Sequence, residues 1–93
     1  MNRTEILDTA EHIISHDREQ EYGAPDKSFA TIAMFWTSYL GIQISPHDVA
    51  MMMMLLKMSR AKNGVPKEDT YVDLAGYAAL AGEIATLEAE PED

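Results

Sequence analysis

The eight residues from Val49 to Leu56 constrain the fold most, because every one of them is apolar. The segment just before them, Ser45-Pro46-His47-Asp48, is a strong helix start. Serine caps the helix, proline fits its first turn, and aspartate closes a capping box. A helix without a polar face has to be covered on every side. We therefore expect a central helix here, enclosed by its own domain and by a neighbouring subunit, and ended by Asn63-Gly64.

Apolar residues at helical spacing predict three further helices, at about Thr4–Gln20, Lys27–Leu40 and Glu68–Glu88. Gly41 is a natural end for the second of them. The last one is rich in glycine and alanine, which allow another helix to approach closely. Trp36, on the apolar side of the second helix, is expected in the core. Together these segments predict an all-α fold, an antiparallel four-helix bundle.

The size of the chain indicates one domain, which we assign to residues 1–87. The acidic tail, residues 88–93, is expected to be disordered. A domain this small buries only about 60–65% of its unfolded surface. The chain has no cysteine for a disulfide, yet 46% of its residues are hydrophobic. Association would bury this apolar surface, so we expect a homo-oligomer, either a dimer or a tetramer.

The charge of the chain excludes several classes of partner. A net charge of −9 repels the phosphates of nucleic acids and of anionic membranes. No apolar run approaches the ~18 residues of a membrane-spanning helix, and no signal peptide opens the sequence. The sequence therefore predicts a cytoplasmic protein that binds neither nucleic acid nor membrane.

Four charged residues are predicted to converge at one end of the bundle. A short loop joins the third and fourth helices, so they should lie antiparallel, with the end of one beside the start of the other. Lys57 and Arg60 share a face of the third helix, and Asp69 and Asp73 share a face of the fourth. The set fits a site in which Asp69 and Asp73 hold magnesium while Lys57 and Arg60 bind phosphate. A structural network of ion pairs is the alternative interpretation.

The end of the first helix adds a second polar group. Arg18 and Tyr22 are four residues apart, which suits a guanidinium and a ring acting together on a planar or anionic ligand. A solvated helix end is the alternative. His12 and His16 have the spacing of a metal chelate, but no third ligand matches them. The sequence has no cysteine nucleophile, glycine-rich phosphate loop, nucleophile elbow or zinc finger.

Several strings of the sequence resemble a set of small proteins common in phages and prophages, over about residues 6–83. They are Arg18-Glu-Gln-Glu-Tyr22-Gly23, Ile44-Ser45-Pro46-His47-Asp48-Val49-Ala50, Lys57-Met-Ser-Arg60 and, most specific, Lys67-Glu-Asp69-Thr-Tyr-Val-Asp73-Leu-Ala-Gly76-Tyr77-Ala78. That set in turn resembles a distant branch of the all-α nucleotide pyrophosphatases, the MazG-like and dimeric dUTPase-like enzymes. The resemblance implies a helical oligomer that uses magnesium to hydrolyse nucleoside triphosphates to monophosphates.

The resemblance covers only part of the enzymes' acidic pattern. Glu68, Asp69 and Asp73 match the second acidic motif of those enzymes. A glutamate pair should face it from the preceding helix, but Lys57 and Arg60 stand there. Further metal ligands would have to come from another subunit or from the carboxylates at the end of the first helix. A protein that binds nucleotides without hydrolysing them is therefore an open alternative.

The leading hypothesis is a phage-type MazG-like protein that binds a nucleotide at the end of the bundle. If it is an enzyme, it is a magnesium-dependent nucleoside triphosphate pyrophosphohydrolase. The alternative is a non-enzymatic acidic phage protein, acting in the bacterial host cell, that binds a host factor or sequesters a signalling nucleotide. A structural accessory bundle is the third interpretation.

Overall fold

A computed structural model describes residues 1–64 and 67–89 of the chain. Its helices are α1 (Arg3–His12), α2 (Arg18–Tyr22), α3 (Pro25–Leu40), α4 (Pro46–Asn63) and α5 (Glu68–Ala89). A π-helical segment, Ile13–Asp17, joins α1 to α2 without a break. The predicted first helix is therefore one rod with a π turn inside it. No strand occurs in the described residues, so the all-α prediction is confirmed.

Side-chain hydrogen bonds fix the starts of α1 and α4, and both caps have the three-residue spacing of a capping box. The N–H of Glu5 donates to Asn2 Oδ1 at 2.9 Å, and the N–H of Asp48 donates to Ser45 Oγ at 3.0 Å. In return, Asp48 Oδ2 accepts from the N–H of Ser45 at 3.0 Å. This backbone bond, together with the Ser45 side chain, lowers the pKa of Asp48.

The ends of α3 show one prediction corrected and one confirmed. The helix begins at Pro25, earlier than the predicted start at Lys27, and its N-cap residue Ala24 makes no side-chain bond. Proline can open a helix without a cap because its ring holds φ near the helical value. Gly41 ends α3 in the left-handed region, with φ 73°, and its N–H donates to the carbonyl of Thr37 at 2.9 Å.

The core lies between α3, α4 and α5. Its buried residues are Phe29, Ala33, Val49, Ala50, Leu80, Ala81 and Ile84. Early residues of α4 thus meet late residues of α5, which makes the two helices antiparallel as predicted. Trp36 is half-buried and packs against this cluster.

The prediction that α4 is the central, enclosed helix is wrong for the single chain. Val49 and Ala50 are its only buried residues, whereas Met51, Leu55 and Met58 are 44%, 62% and 49% exposed. The physical reason is that, within the described residues, α4 packs against α3 and α5 alone, which leaves one side of it without cover. The helix that contacts α1, the π segment, α3 and α4 is α5.

Small residues allow a close helix contact at one place in α5. A Cβ added at Gly76 would lie 3.2 Å from Cγ2 of Ile14. At Gly82 an added Cβ would meet nothing within 4 Å. The close approach predicted for this helix is therefore present at Gly76, where the π segment crosses α5, and not at Gly82.

The last helix ends slightly later than the predicted end of the domain. Helix α5 continues through Glu88 and Ala89, beyond the predicted boundary at residue 87. Residues 90–93, the rest of the predicted tail, lie outside the described residues. Within the described ranges, no helix has both the length and the apolar character needed to cross a membrane.

Removing the N-cap of α4 should destabilise the protein. We expect Ser45→Ala to lower the free energy of unfolding by ~1 kcal/mol, because the N–H of Asp48 loses its acceptor. Urea unfolding measures the change. Ser59→Ala, an exposed position in the middle of the same helix, is the control and should cause no loss. Equal stability of Ser45→Ala and the unchanged protein would contradict the role of the cap.

The capping carboxylate should make the stability depend on pH. Since the pKa of Asp48 is lowered on folding, its contribution is fully present above the ordinary aspartate pKa. It is lost as the pH falls through the lowered value. Asp48→Asn should therefore be destabilising at neutral pH, and its difference from the unchanged protein should shrink in acid. Urea unfolding at several pH values tests this, with the exposed Asp8→Asn as the matched control.

Candidate functional site

An ion pair between α4 and α5 lies at the centre of the predicted cluster. Lys57 Nζ is 2.9 Å from Asp73 Oδ2, across the antiparallel contact of the two helices. The Lys57 side chain is 16% exposed and that of Asp73 is 37% exposed. Lysine is thus mostly covered, while the carboxylate still faces outward on one side. The structure brings these two predicted residues together.

Arg60 and Asp69 do not join this pair. Both side chains are exposed, and neither forms an ion pair within the described residues. Arg60 lies in the last turn of α4 and Asp69 in the first turn of α5. At these helix ends the side chains extend into solvent instead of across the helix contact.

The described residues do not form a metal site on their own. Among the side chains that the structure describes, which do not include that of Glu19, no three His, Asp or Glu groups lie closely enough to hold an ion. Asp69 and Asp73 therefore lack a third protein ligand there. The rings of His12 and His16 are 4.8 Å apart, and His12 Nε2 is 3.8 Å from Asp17 Oδ1. These three residues also fall short of such a group.

A pocket of about 180 Å³ opens between the π segment and α5, and we call it the π–α5 pocket. Its apolar lining consists of Ala10, Ile13, Ile14, Val72, Gly76 and Leu80. Its polar lining consists of Asp17, Arg18, Glu21, Asp73 and Tyr77. The pocket therefore joins the two groups that the sequence suggested separately, the polar end of the first helix and the ion pair of α4 and α5.

The π turn supplies part of this pocket. The N–H of Arg18 donates to the carbonyl of Ile13, five residues earlier, which is the bond that defines a π turn. Such turns are rare inside helices and occur frequently at functional sites. Ile13, Ile14 and Asp17 of this segment line the pocket. Helical periodicity does not separate a π turn from an α turn, so the sequence predicts a regular helix here.

Arg18 is held at the pocket by an aromatic ring. Its Cζ atom lies 4.6 Å from the centroid of the Phe29 ring, which in turn lies 6.4 Å from that of Tyr77. The Phe29 ring is buried and fixed by the core, so it sets the position of the guanidinium. The predicted aromatic partner was Tyr22, whose side chain lies outside the described residues. The sequence does not reveal Phe29 as the partner, because an apolar residue at helical spacing predicts burial and not a contact with a guanidinium.

The polar lining combines donors and acceptors. Arg18 offers N–H donors, while Asp17, Glu21 and Asp73 are acceptors when ionised. Lys57 neutralises the charge of Asp73 by direct contact. The pocket therefore combines apolar walls with the acceptors of three carboxylates and the donors of one guanidinium.

Comparison with known proteins matches the chain to a family model and to two phage proteins. The model of a family described as "Domain of unknown function (DUF6378)" matches residues 5–85, which include every residue lining the pocket. The chain is similar to the Gene 55 protein of Mycobacterium phage L5, with 45% identity over 76 residues, 81% of this chain and 49% of that protein. With the Gene 55 protein of Mycobacterium phage D29 it shares 38% identity over 88 residues, 92% and 58% of the two chains.

Both of these relatives are longer than the chain. The chain spans about half the length of the curated relatives it matches. No solved structure matches the chain at a significant level. None of these findings connects the chain to MazG-like pyrophosphatases.

The ion pair at the pocket should contribute measurably to stability. We expect a double-mutant cycle of Lys57→Met and Asp73→Asn to give a coupling energy of roughly 0.5–1 kcal/mol, because the pair is only partly exposed. Urea unfolding of the four proteins measures it. Lys67→Met, at an exposed lysine before α5, replaces Lys57→Met in the control cycle and should show no coupling to Asp73. A coupling energy of zero between Lys57 and Asp73 would show that the ion pair does not stabilise the fold.

Proposed function

The chain belongs to the DUF6378 family, and we propose that it binds a nucleotide in the π–α5 pocket. The observation that carries this proposal is the position of Arg18. Its guanidinium is held on the Phe29 ring, at a pocket that also contains Tyr77 and the carboxylate of the Lys57–Asp73 pair. A planar, anionic ligand would find a ring, a fixed guanidinium and hydrogen-bond acceptors within one small space.

The volume of the pocket determines which part of a nucleotide can fit inside it. At about 180 Å³ it is smaller than typical ligand sites of ~300–1,000 Å³. It has room for one base or one nucleoside, and the phosphates of a mononucleotide would extend from it into solvent. A cyclic dinucleotide would not be enclosed. We therefore propose a mononucleotide as the ligand.

Each group of lining residues has a proposed role. The apolar wall of Ile13, Val72 and Leu80 packs against the base. Asp17 and Glu21 accept hydrogen bonds from its amino group or from sugar hydroxyls. Arg18 donates to a phosphate oxygen. Lys57 neutralises the carboxylate of Asp73, which would otherwise repel that phosphate.

Hydrolysis is the finer form of this proposal, and it rests on the resemblance to MazG-like enzymes. In those enzymes magnesium supports the conversion of a nucleoside triphosphate to a monophosphate. Because the described residues include no group of three metal ligands, a magnesium ion at Asp73 would need phosphate and water oxygens to complete its shell. Release of pyrophosphate from a bound triphosphate tests this form. Binding without release would instead fit sequestration of a nucleotide.

A thermal-shift titration against nucleoside mono-, di- and triphosphates, with and without magnesium, tests the proposal. A mononucleotide at about 100 times its Kd should stabilise the fold by about 2.7 kcal/mol, which raises the Tm by several degrees. Cyclic dinucleotides should give a smaller shift. If none of these ligands changes the Tm, the proposal fails.

Two variants locate the ligand. Arg18→Met keeps an apolar stem on the Phe29 ring but removes the donors, and Lys57→Ala leaves the charge of Asp73 uncompensated. Each should weaken binding about tenfold or more, the effect of losing ~1.4 kcal/mol. Arg3→Met, at an exposed arginine of α1 outside the pocket, is the matched control and should bind normally. Unchanged affinity in both pocket variants, with folding intact by circular dichroism, would place the ligand elsewhere.

Charge distribution favours a second candidate, the binding of a basic surface on a host protein. Residues 3–22 carry six carboxylates, and α5 carries five, against two basic residues in these two segments. Such a surface steers association with a positively charged partner. A saturable complex with one host protein, together with no nucleotide-induced change in Tm, would favour this candidate over the nucleotide proposal.

A further inference from the structure

Helix α4 presents a regular row of side chains to solvent on the side away from the core. Its members are Asp48, Met51, Leu55, Met58 and Lys62, all of them exposed. They recur at intervals of three and four residues, which is the spacing of a seam between two paired helices. The buried residues of the helix, Val49 and Ala50, do not belong to this row. An exposed apolar row of this kind marks an interaction surface.

The two ends of the row carry opposite charges. Asp48 lies near the start of α4 and Lys62 near its end, and Leu55 is midway, seven residues from each. If two copies of the row lie antiparallel about Leu55, each Asp48 faces Lys62 of the other copy. Met51, four residues before Leu55, then lies next to Met58 of the other copy, three residues after it. A parallel arrangement would instead bring like charges together at both ends.

This pattern is self-complementary, which is what a two-fold symmetric interface requires. We infer that the exposed row of α4 is the contact between two copies of this chain, arranged antiparallel around Leu55. The occupant of the surface is therefore a second copy and not an unrelated partner.

The distribution of charge over the molecule supports a meeting along α4. The chain has a net charge of −9, so two copies repel each other over most of their surface. That excess lies on residues 3–22 and on α5. In contrast, α4 holds three basic residues, Lys57, Arg60 and Lys62, and one carboxylate, Asp48. A contact along α4 therefore leaves the acidic segments of the two copies outside the interface.

The inferred contact is independent of the nucleotide proposal. No residue of α4 lines the π–α5 pocket. Loss of nucleotide binding would leave the contact intact, and loss of the contact would leave the residues of the pocket in place. An experiment can therefore reject the contact between copies without rejecting nucleotide binding, and the reverse.

Light scattering coupled to size exclusion, together with sedimentation equilibrium, tests the inference on the whole chain. The unchanged protein should have twice the 10.4 kDa mass of one chain. Leu55→Lys should reduce the mass to that of one chain, since it places two ammonium groups opposite each other at the centre of the seam. Leu7→Lys on α1 is the matched control, because Leu7 and Leu55 are both 62% exposed. This control should remain dimeric.

The charged ends of the seam are tested by Lys62→Glu. Two attractive pairs become repulsive ones, so the Kd of the dimer should rise about tenfold, and the increase should be smaller at high salt. Circular dichroism and urea unfolding verify that each variant folds. A single-chain mass for the unchanged protein, an unchanged mass in Leu55→Lys, or an unchanged Kd in Lys62→Glu would each overturn the inferred arrangement.

Discussion

Helix α5 is covered from two directions, by α4 and by the rod formed from α1 and the π segment. Burial of Leu80 and Ile84 on α5 supplies much of the core, at about 1.5–3 kcal/mol for each such side chain. The close approach of the rod depends on Gly76, since a side chain there would meet Ile14. Asp73 takes part in both contacts of α5. It pairs with Lys57 of α4, and it lines the pocket beside the π segment. The candidate site therefore exists only while both contacts of α5 are made.

Local features of the structure could be predicted because their causes are local. The capping boxes at Asn2 and Ser45 involve residues three apart, and the end of α3 needs only the φ freedom of Gly41. The Lys57–Asp73 contact could also be predicted, because a short connection forces two helices to lie side by side. Each of these required knowledge of one stretch of chain or of two adjacent ones.

Features that depend on distant segments could not be predicted in the same way. The guanidinium of Arg18 on the Phe29 ring, and the pocket between the π segment and α5, require the relative placement of helices far apart in sequence. The error about α4 has a different cause. An apolar helix indicates that cover is needed, but hydrophobicity does not say which chain provides it. In a chain of this size, the described residues leave the row centred on Leu55 without cover.

The π turn has a consequence for how this family can vary. A π turn holds one residue more than the α turn it replaces, so it corresponds to an insertion that the helix has accommodated. An extra residue in a regular α-helix would turn everything after it by about 100° around the helix axis, and the π turn absorbs that rotation. Deleting one residue from Ile13–Asp17 would therefore restore a regular helix and leave Arg18 on the side that faces α5. The change would fall on the wall of the π–α5 pocket that Ile13, Ile14 and Asp17 line, so a lineage could reshape the pocket by one codon while retaining the bundle.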